Sequence, residues 1–114
     1  MKKLTIKKLG ECGVDSGQLF LIDPCYLAHY KDNEFDAGVE SKNELSYSAV
    51  CERTIKDFGG KVGGRGGGVA FRTGFGDGVY DVYAIISDEG DLGKRVAGVF
   101  IDCGLINFNL NNLL

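Results

Sequence analysis

VAFRTGFGDGVYDVYAIISDEGDLGKRVAGVFIDC, residues 69–103, contains three apolar runs separated by glycine-bearing breaks. The runs are Val69 to Thr73, Val79 to Ser87 and Arg95 to Cys103, rich in the β-branched and aromatic residues that suit a pleated strand. Gly74-Phe75-Gly76-Asp77-Gly78 joins the first two and residues 88–94 join the last two. Connections this short, with an Asp-Gly pair, favour hairpins over crossovers, so a three-strand antiparallel meander is expected. The second and third runs are apolar on both pleat faces, which reads as central strands with one face under a helix.

The helix is found upstream. Tyr47, Val50, Cys51, Thr54, Ile55 and Phe58 recur at helical spacing, Ser41 and Glu44 match a capping box, and Gly59-Gly60 supplies a stop. A helix over residues 42–58 follows, with those six residues packed on the sheet and Ser46, Arg53, Lys56 and Asp57 on the far side. Residues 59–68 hold seven glycines and read as a flexible connector. Nearer the N-terminus, residues 2–9 alternate Leu4 and Ile6 with lysines, as an edge strand does, and Gln18 to Asp23 forms a second strand ended by Pro24. Residues 27–43 read as loop with at most one short helical turn, and the tail 104–114 as an edge strand or packing arm. The fold class is α+β: one domain, residues 1–114, with a mainly antiparallel sheet of about five strands and one amphipathic helix.

Composition narrows the function. The chain has 18 glycines, one proline, a net charge of −3 and one basic cluster, Lys2, Lys3, Lys7 and Lys8. Nucleic-acid binding normally needs a broader basic surface, so none is expected. No apolar stretch reaches the ~20 residues of a membrane span and the N-terminus lacks the apolar region of a signal peptide, which points to the cytoplasm and no membrane partner. Cys12, Cys25, Cys51 and Cys103 lack paired spacing and His29 is the single histidine. Reduced thiols, no bound metal and no cofactor are the expectation.

Two segments resemble motifs. Val14 to Tyr26 contains Asp15-Ser16-Gly17 and Asp23-Pro24-Cys25-Tyr26, similar to DSGxxxxxDPCY, and Thr73 to Tyr83 is similar to SGYGDGVYPVY. Together with Tyr47 to Thr54 and Val99 to Asp102, in the same order, they resemble a family of small bacterial and phage domains of unknown function across about Val14 to Asp102. Asp81 departs from that pattern, where the family has proline. The resemblance implies a bacterial or phage origin and no particular activity.

Candidate site residues come from these segments. In the glycine turn, Gly76 and Gly78 can present backbone N–H groups to an anion, with Asp77 orienting a ligand, although a tight hairpin accounts for the same residues. Phe75 is hard to bury at a turn tip and is the leading contact residue. Asp23, Cys25 and Tyr26 end a strand, where side chains are held firmly. Cys25 with His29 has the composition of a thiolate and base, against which stands a capping role for Cys25 and Tyr26. Asp15, Asp23, Asp77, Asp81 and Asp102 are candidate carboxylates for hard-cation or acid–base work, or simply turn residues. If Asp23 to Tyr26 meets Gly74 to Gly78, then Asp23, Cys25, Tyr26, Phe75, Gly76, Asp77, Gly78 and Tyr80 form one ligand site. The reading is a non-enzymatic binding module for a small, nucleotide-like ligand or a partner protein, such as a host-defence inhibitor or immunity protein. The alternative is a small hydrolase or transferase using Cys25 or the carboxylates.

Overall fold

Alternation builds the first strand: in β1 (Lys3–Val14) Leu4 and Ile6 are half-buried while Lys3, Thr5 and Lys7 stay in solvent. The computed structural model describes residues 3–38, 43–106 and 109–114. β1 pairs antiparallel with β5 (Gly78–Asp88) from Lys3 opposite Asp88 to Val14 opposite Gly78, with Leu9 bulged out between Lys8 and Gly10. β5 also pairs antiparallel with β6 (Lys94–Asp102), giving a sheet in the order β1-β5-β6. A second antiparallel sheet has the order β2-β4-β3, from β2 (Gln18–Leu21), β4 (Gly68–Arg72) and β3 (Gly59–Val62).

The α+β class, the antiparallel strands and the single main helix are as expected. The C-terminal meander is not formed. β4 lies in one sheet and β5 in the other, because both edges of β5 are already taken by β1 and β6. The strand from residue 2 to 9 in fact continues to Val14, and its twelve residues offer β5 a far longer ladder than the five of β4. β6 is accordingly an edge strand, and the helix covers the other sheet.

Helix α1 (Tyr47–Lys56) starts later than the sequence pattern suggests. Ser41 and residue 42 lie outside the described residues, and 43–46 are not helical. Ser46 is the cap: its Oγ accepts the Ala49 N–H at 3.1 Å and donates to Glu44 Oε2 at 2.7 Å, and the residue is fully buried rather than on the far side. The preceding segment wraps this end, with Ser48 Oγ accepting the Asp36 N–H at 2.6 Å and Asn33 Oδ1 accepting the Ser48 N–H at 2.9 Å. Asp57 is already extended, so Phe58 leaves the helix before the next turn could bring it to the sheet. Val50, Cys51 and Thr54 are buried as the periodicity implies, but Ile55 and Phe58 are exposed and Ser48, Ala49 and Glu52 take their place. Lys56 pairs with the buried Glu52 at 2.7 Å.

Ala49, Val50, Val62 and Ala70 form the buried cluster between α1 and the β2-β4-β3 sheet, closed by Phe20 and Tyr30 with ring centroids 6.1 Å apart. The glycine-rich stretch 59–68, expected as a connector, builds part of this core: it is β3, a turn, and the first residue of β4. A Cβ on Gly67 would overlap the Val62 carbonyl oxygen, which is why the turn admits no side chain there.

Candidate binding cleft

Thr73 follows β4 and turns the chain toward the other sheet. Its N–H donates to the Gly17 carbonyl at 3.1 Å, its hydroxyl to the Gly76 carbonyl at 2.6 Å, and its own carbonyl accepts the Gly76 N–H at 3.0 Å. Tyr80 Oη donates to the Gly76 carbonyl at 2.7 Å, and Tyr80 is 6 % exposed. Gly76 has φ +78°, the left-handed region that favours glycine. The Gly76 N–H is therefore spent on the turn, and Tyr80 braces it from below. Neither is placed to contact a ligand, which corrects the expectation of an anion cradle at Gly76. Nor is the turn a hairpin, since it passes from one sheet to the other. Asp77 and Gly78 are exposed beside it.

Asp23 to Tyr26 does not meet the Gly74 to Gly78 turn as expected. Gln18 lies opposite Arg72 and Leu21 opposite Val69, so residues after Leu21 sit by the start of β4 while the 73–78 turn follows its end. Asp23, Cys25 and Tyr26 belong to the far end, in and before a short 3₁₀ helix Pro24–His29. There the Asp23 carboxylate accepts the Cys25 N–H at 3.0 Å, and the Tyr26 ring packs on Gly66. Partial desolvation, with the Asp23 carboxylate beside it, pushes the Cys25 thiol above its usual pKa. A raised pKa is the reverse of what activates a nucleophile.

The candidate carboxylates are likewise dispersed or engaged. Asp81 and Asp102 are register partners across β5 and β6, yet Asp81 holds Lys8 at 3.1 Å and Asp102 accepts the Gly104 N–H at 2.8 Å. The hydrogen bond that Lys8 donates to Asp81 raises the Lys8 pKa. Among the described residues no three His, Cys, Asp or Glu side chains are grouped to hold a metal ion. No helix among them is long and apolar enough to cross a membrane.

What the fold does assemble is an apolar cleft of about 370 Å³ where the end of β4 faces the end of β6. Arg72 and Gly74 line one side; Phe100, Ile101, Asp102 and residues 103–106 line the other. An adjoining hollow of about 380 Å³ shares Arg72, Gly74 and Leu105 and adds Phe58 and Thr73. Leu105 lies against Gly74, where a Cβ would come within 2.5 Å of Leu105 Cδ1, and Phe75 lies against Gly104. The Arg72 guanidinium sits 5.4 Å from the Phe58 ring centre, a cation–π distance. Phe58 is 81 % exposed and Phe75 64 %, with Leu105 and Ile106 also largely in solvent.

Of the expected ligand-contact residues, Phe75 alone belongs to the rim of this surface, and of the candidate carboxylates Asp102 lines the cleft. Phe58, Arg72, Leu105 and Ile106 were missed. Phe58 continues the helical spacing of a buried stripe, and Leu105 and Ile106 sit in a tail with no strong pattern, so periodicity alone misassigns the first and ignores the others. No protein-family model, curated protein or solved structure matches the chain.

Proposed function

We propose that this chain is a non-enzymatic binding module whose cleft between the ends of β4 and β6 receives a partner protein through an apolar side chain flanked by a carboxylate. The observation that carries this reading is the grouping of exposed Phe58, Leu105 and Ile106 around the Arg72 guanidinium. Soluble chains seldom leave such residues together in solvent unless something covers them. Aromatic and arginine side chains are also the usual anchors of protein interfaces. Arg72 supplies a fixed fork for a carboxylate, held in place by its stack on Phe58.

Protein partners are favoured over a small nucleotide-like ligand because the cleft is a shallow hollow around an edge, and the turn that would have bound an anion uses the Gly76 N–H internally. The raised Cys25 thiol pKa argues equally against a hydrolase or transferase working through that residue.

A displayed random-peptide library tests the proposal. Selection on the wild-type chain is expected to enrich peptides with an aromatic or branched residue next to Asp or Glu. Leu105→Asp should abolish their binding, and Arg72→Ala should remove the acidic preference while retaining the apolar one. No enrichment, or peptides that bind Leu105→Asp as well as wild type, would refute it.

A further inference from the structure

Among the described residues no layer covers the β1-β5-β6 sheet. α1 packs on β2, β3 and β4, and no helix or strand packs broadly across the larger sheet. The register fixes what one of its faces carries: Val82, Ala84 and Ile86 of β5, with Ile101, Val99 and Val96 of β6 directly beside them. Val96 is 60 % exposed and Val99 56 %, while Val82, Ile86 and Ile101 are half-buried and Ala84 is fully buried. A sheet with an apolar face is half of a two-layer core, and stable architectures supply the other half. The chain supplies no such element among its described residues.

The chain as a whole carries more surface than a compact monomer. The chain exposes 7666 Å², whereas a compact monomer of 12.3 kDa exposes about 6,100 Å². Its radius of gyration is 16.2 Å, against ~13 Å for a compact domain of this length. The excess, on the order of 1,500 Å², exceeds the ~800 Å² that each partner buries in an interface of standard size. The surplus therefore accommodates one isologous contact with area remaining for the cleft. Charge sits at the margins of the face: Lys3, Asp88 and Lys94 are register partners across its end, and Lys7 lies on the outer strand. Such an apolar centre with a charged rim is the anatomy of a self-complementary patch.

We infer that two copies of this chain pack through the faces of their β1-β5-β6 sheets that carry Val82, Ile86, Val96 and Val99, forming a two-sheet sandwich across a two-fold axis. The cleft at the far end of β6 stays open in that arrangement, so each dimer presents two docking sites. This inference does not depend on the proposed partner binding.

Sedimentation equilibrium on the full chain decides it. The wild type is expected at twice the chain mass at ~100 μM, since interfaces of standard size have Kd values of about 1 μM or tighter. Val99→Lys, at a position exposed in the single chain, should give the single-chain mass with an unchanged far-UV circular dichroism spectrum. Phe58→Ala and Leu105→Asp should leave the dimer intact. Should Val99→Lys fail to fold, the near-isosteric Val99→Thr is expected to raise the dimer Kd at least several-fold. A monomeric wild type, a folded Val99→Lys that remains dimeric, an unchanged Kd for Val99→Thr, or a dimer lost in the cleft variants would each overturn the inference.

Discussion

Replacing Val62 and Phe58 separately by alanine distinguishes the residues that hold the fold from those left for a partner. Val62 is fully buried against Ala49, Val50 and Ala70, whereas Phe58, four residues earlier, is mostly in solvent. Val62→Ala removes two methyl groups from a packed site. At ~0.8 kcal/mol each for transfer, plus the cavity that remains, the expected loss is about 2–3 kcal/mol. The Phe58 ring buries only about a fifth of the ~200 Å² typical of such a side chain, so even with its Arg72 contact the loss on Phe58→Ala is about 1 kcal/mol or less. Urea unfolding followed by far-UV circular dichroism, at one fixed chain concentration, measures both. The midpoint of Val62→Ala should fall by roughly 1–2 M with the slope unchanged, and that of Phe58→Ala by well under 1 M. Equal shifts, or a larger one for Phe58→Ala, would mean that Phe58 belongs to the core and would remove the basis for the cleft.

Four further outcomes follow from the hydrogen bonds and turns. Ser46→Ala removes the helix cap and leaves the buried Ala49 N–H without its acceptor, so a loss of about 1–2 kcal/mol and a drop of roughly 5 °C in thermal midpoint are expected. Gly67→Ala forces a Cβ onto the Val62 carbonyl and should cost about 1–3 kcal/mol in the same assay. Gly76→Ala meets open space and suffers only its left-handed backbone, a penalty of about 1–2 kcal/mol. Glu44 has its pKa lowered first by the Ser46 hydroxyl and then by Lys31. A depressed folded pKa means this contribution is present above the unfolded value of about 4.3 and is lost as pH falls through the lower folded value. Urea midpoints measured across that acidic window should fall less steeply for Ser46→Ala than for wild type.

The sequence revealed individual elements better than their partnerships. Val79 to Ser87 and Arg95 to Cys103 were legible because their side chains are strand formers bounded by glycine, and they pair as expected. The partner of Val69 to Thr73 was not legible, because local pattern records that a segment is a strand but not which of two long ladders it joins. Length decided that, and the extra length of β1 lay in Gly10 to Val14, beyond a bulge at Leu9 that breaks the alternation. The helix shows the same limit. Its stripe was visible, but a serine–glutamate pair at 41 and 44 imitated a cap while the working cap, Ser46, lay five residues on. Composition misled at 59–68, where glycine serves close packing against Val62 and Leu21 rather than mobility.

The motif-like segments owe much of their character to a joint. The chain changes sheets twice, at Asp15 to Gly17 and at Thr73 to Asp77, and the two crossings touch: Thr73 donates to the Gly17 carbonyl, and a Cβ on Gly17 would stand 3.8 Å from Gly76 Cα. Val14 and Tyr80, both buried, lie beside this joint, and the Tyr80 hydroxyl fixes the Gly76 carbonyl. Glycine at 17 and 76 is required by their left-handed φ values of +68° and +78°, a threonine at 73 by the side-chain bond that closes the turn, and a tyrosine at 80 by its reach. Two strand-to-strand crossings therefore look like a ligand motif while serving to hold one sheet at a fixed attitude to the other. Fixing that attitude has a consequence for binding, because Phe75 projects from the same turn and Gly74 backs Leu105. The joint thus sets the position of the cleft wall, and residues that never touch a partner can still govern whether Phe58, Arg72 and Leu105 are presented together.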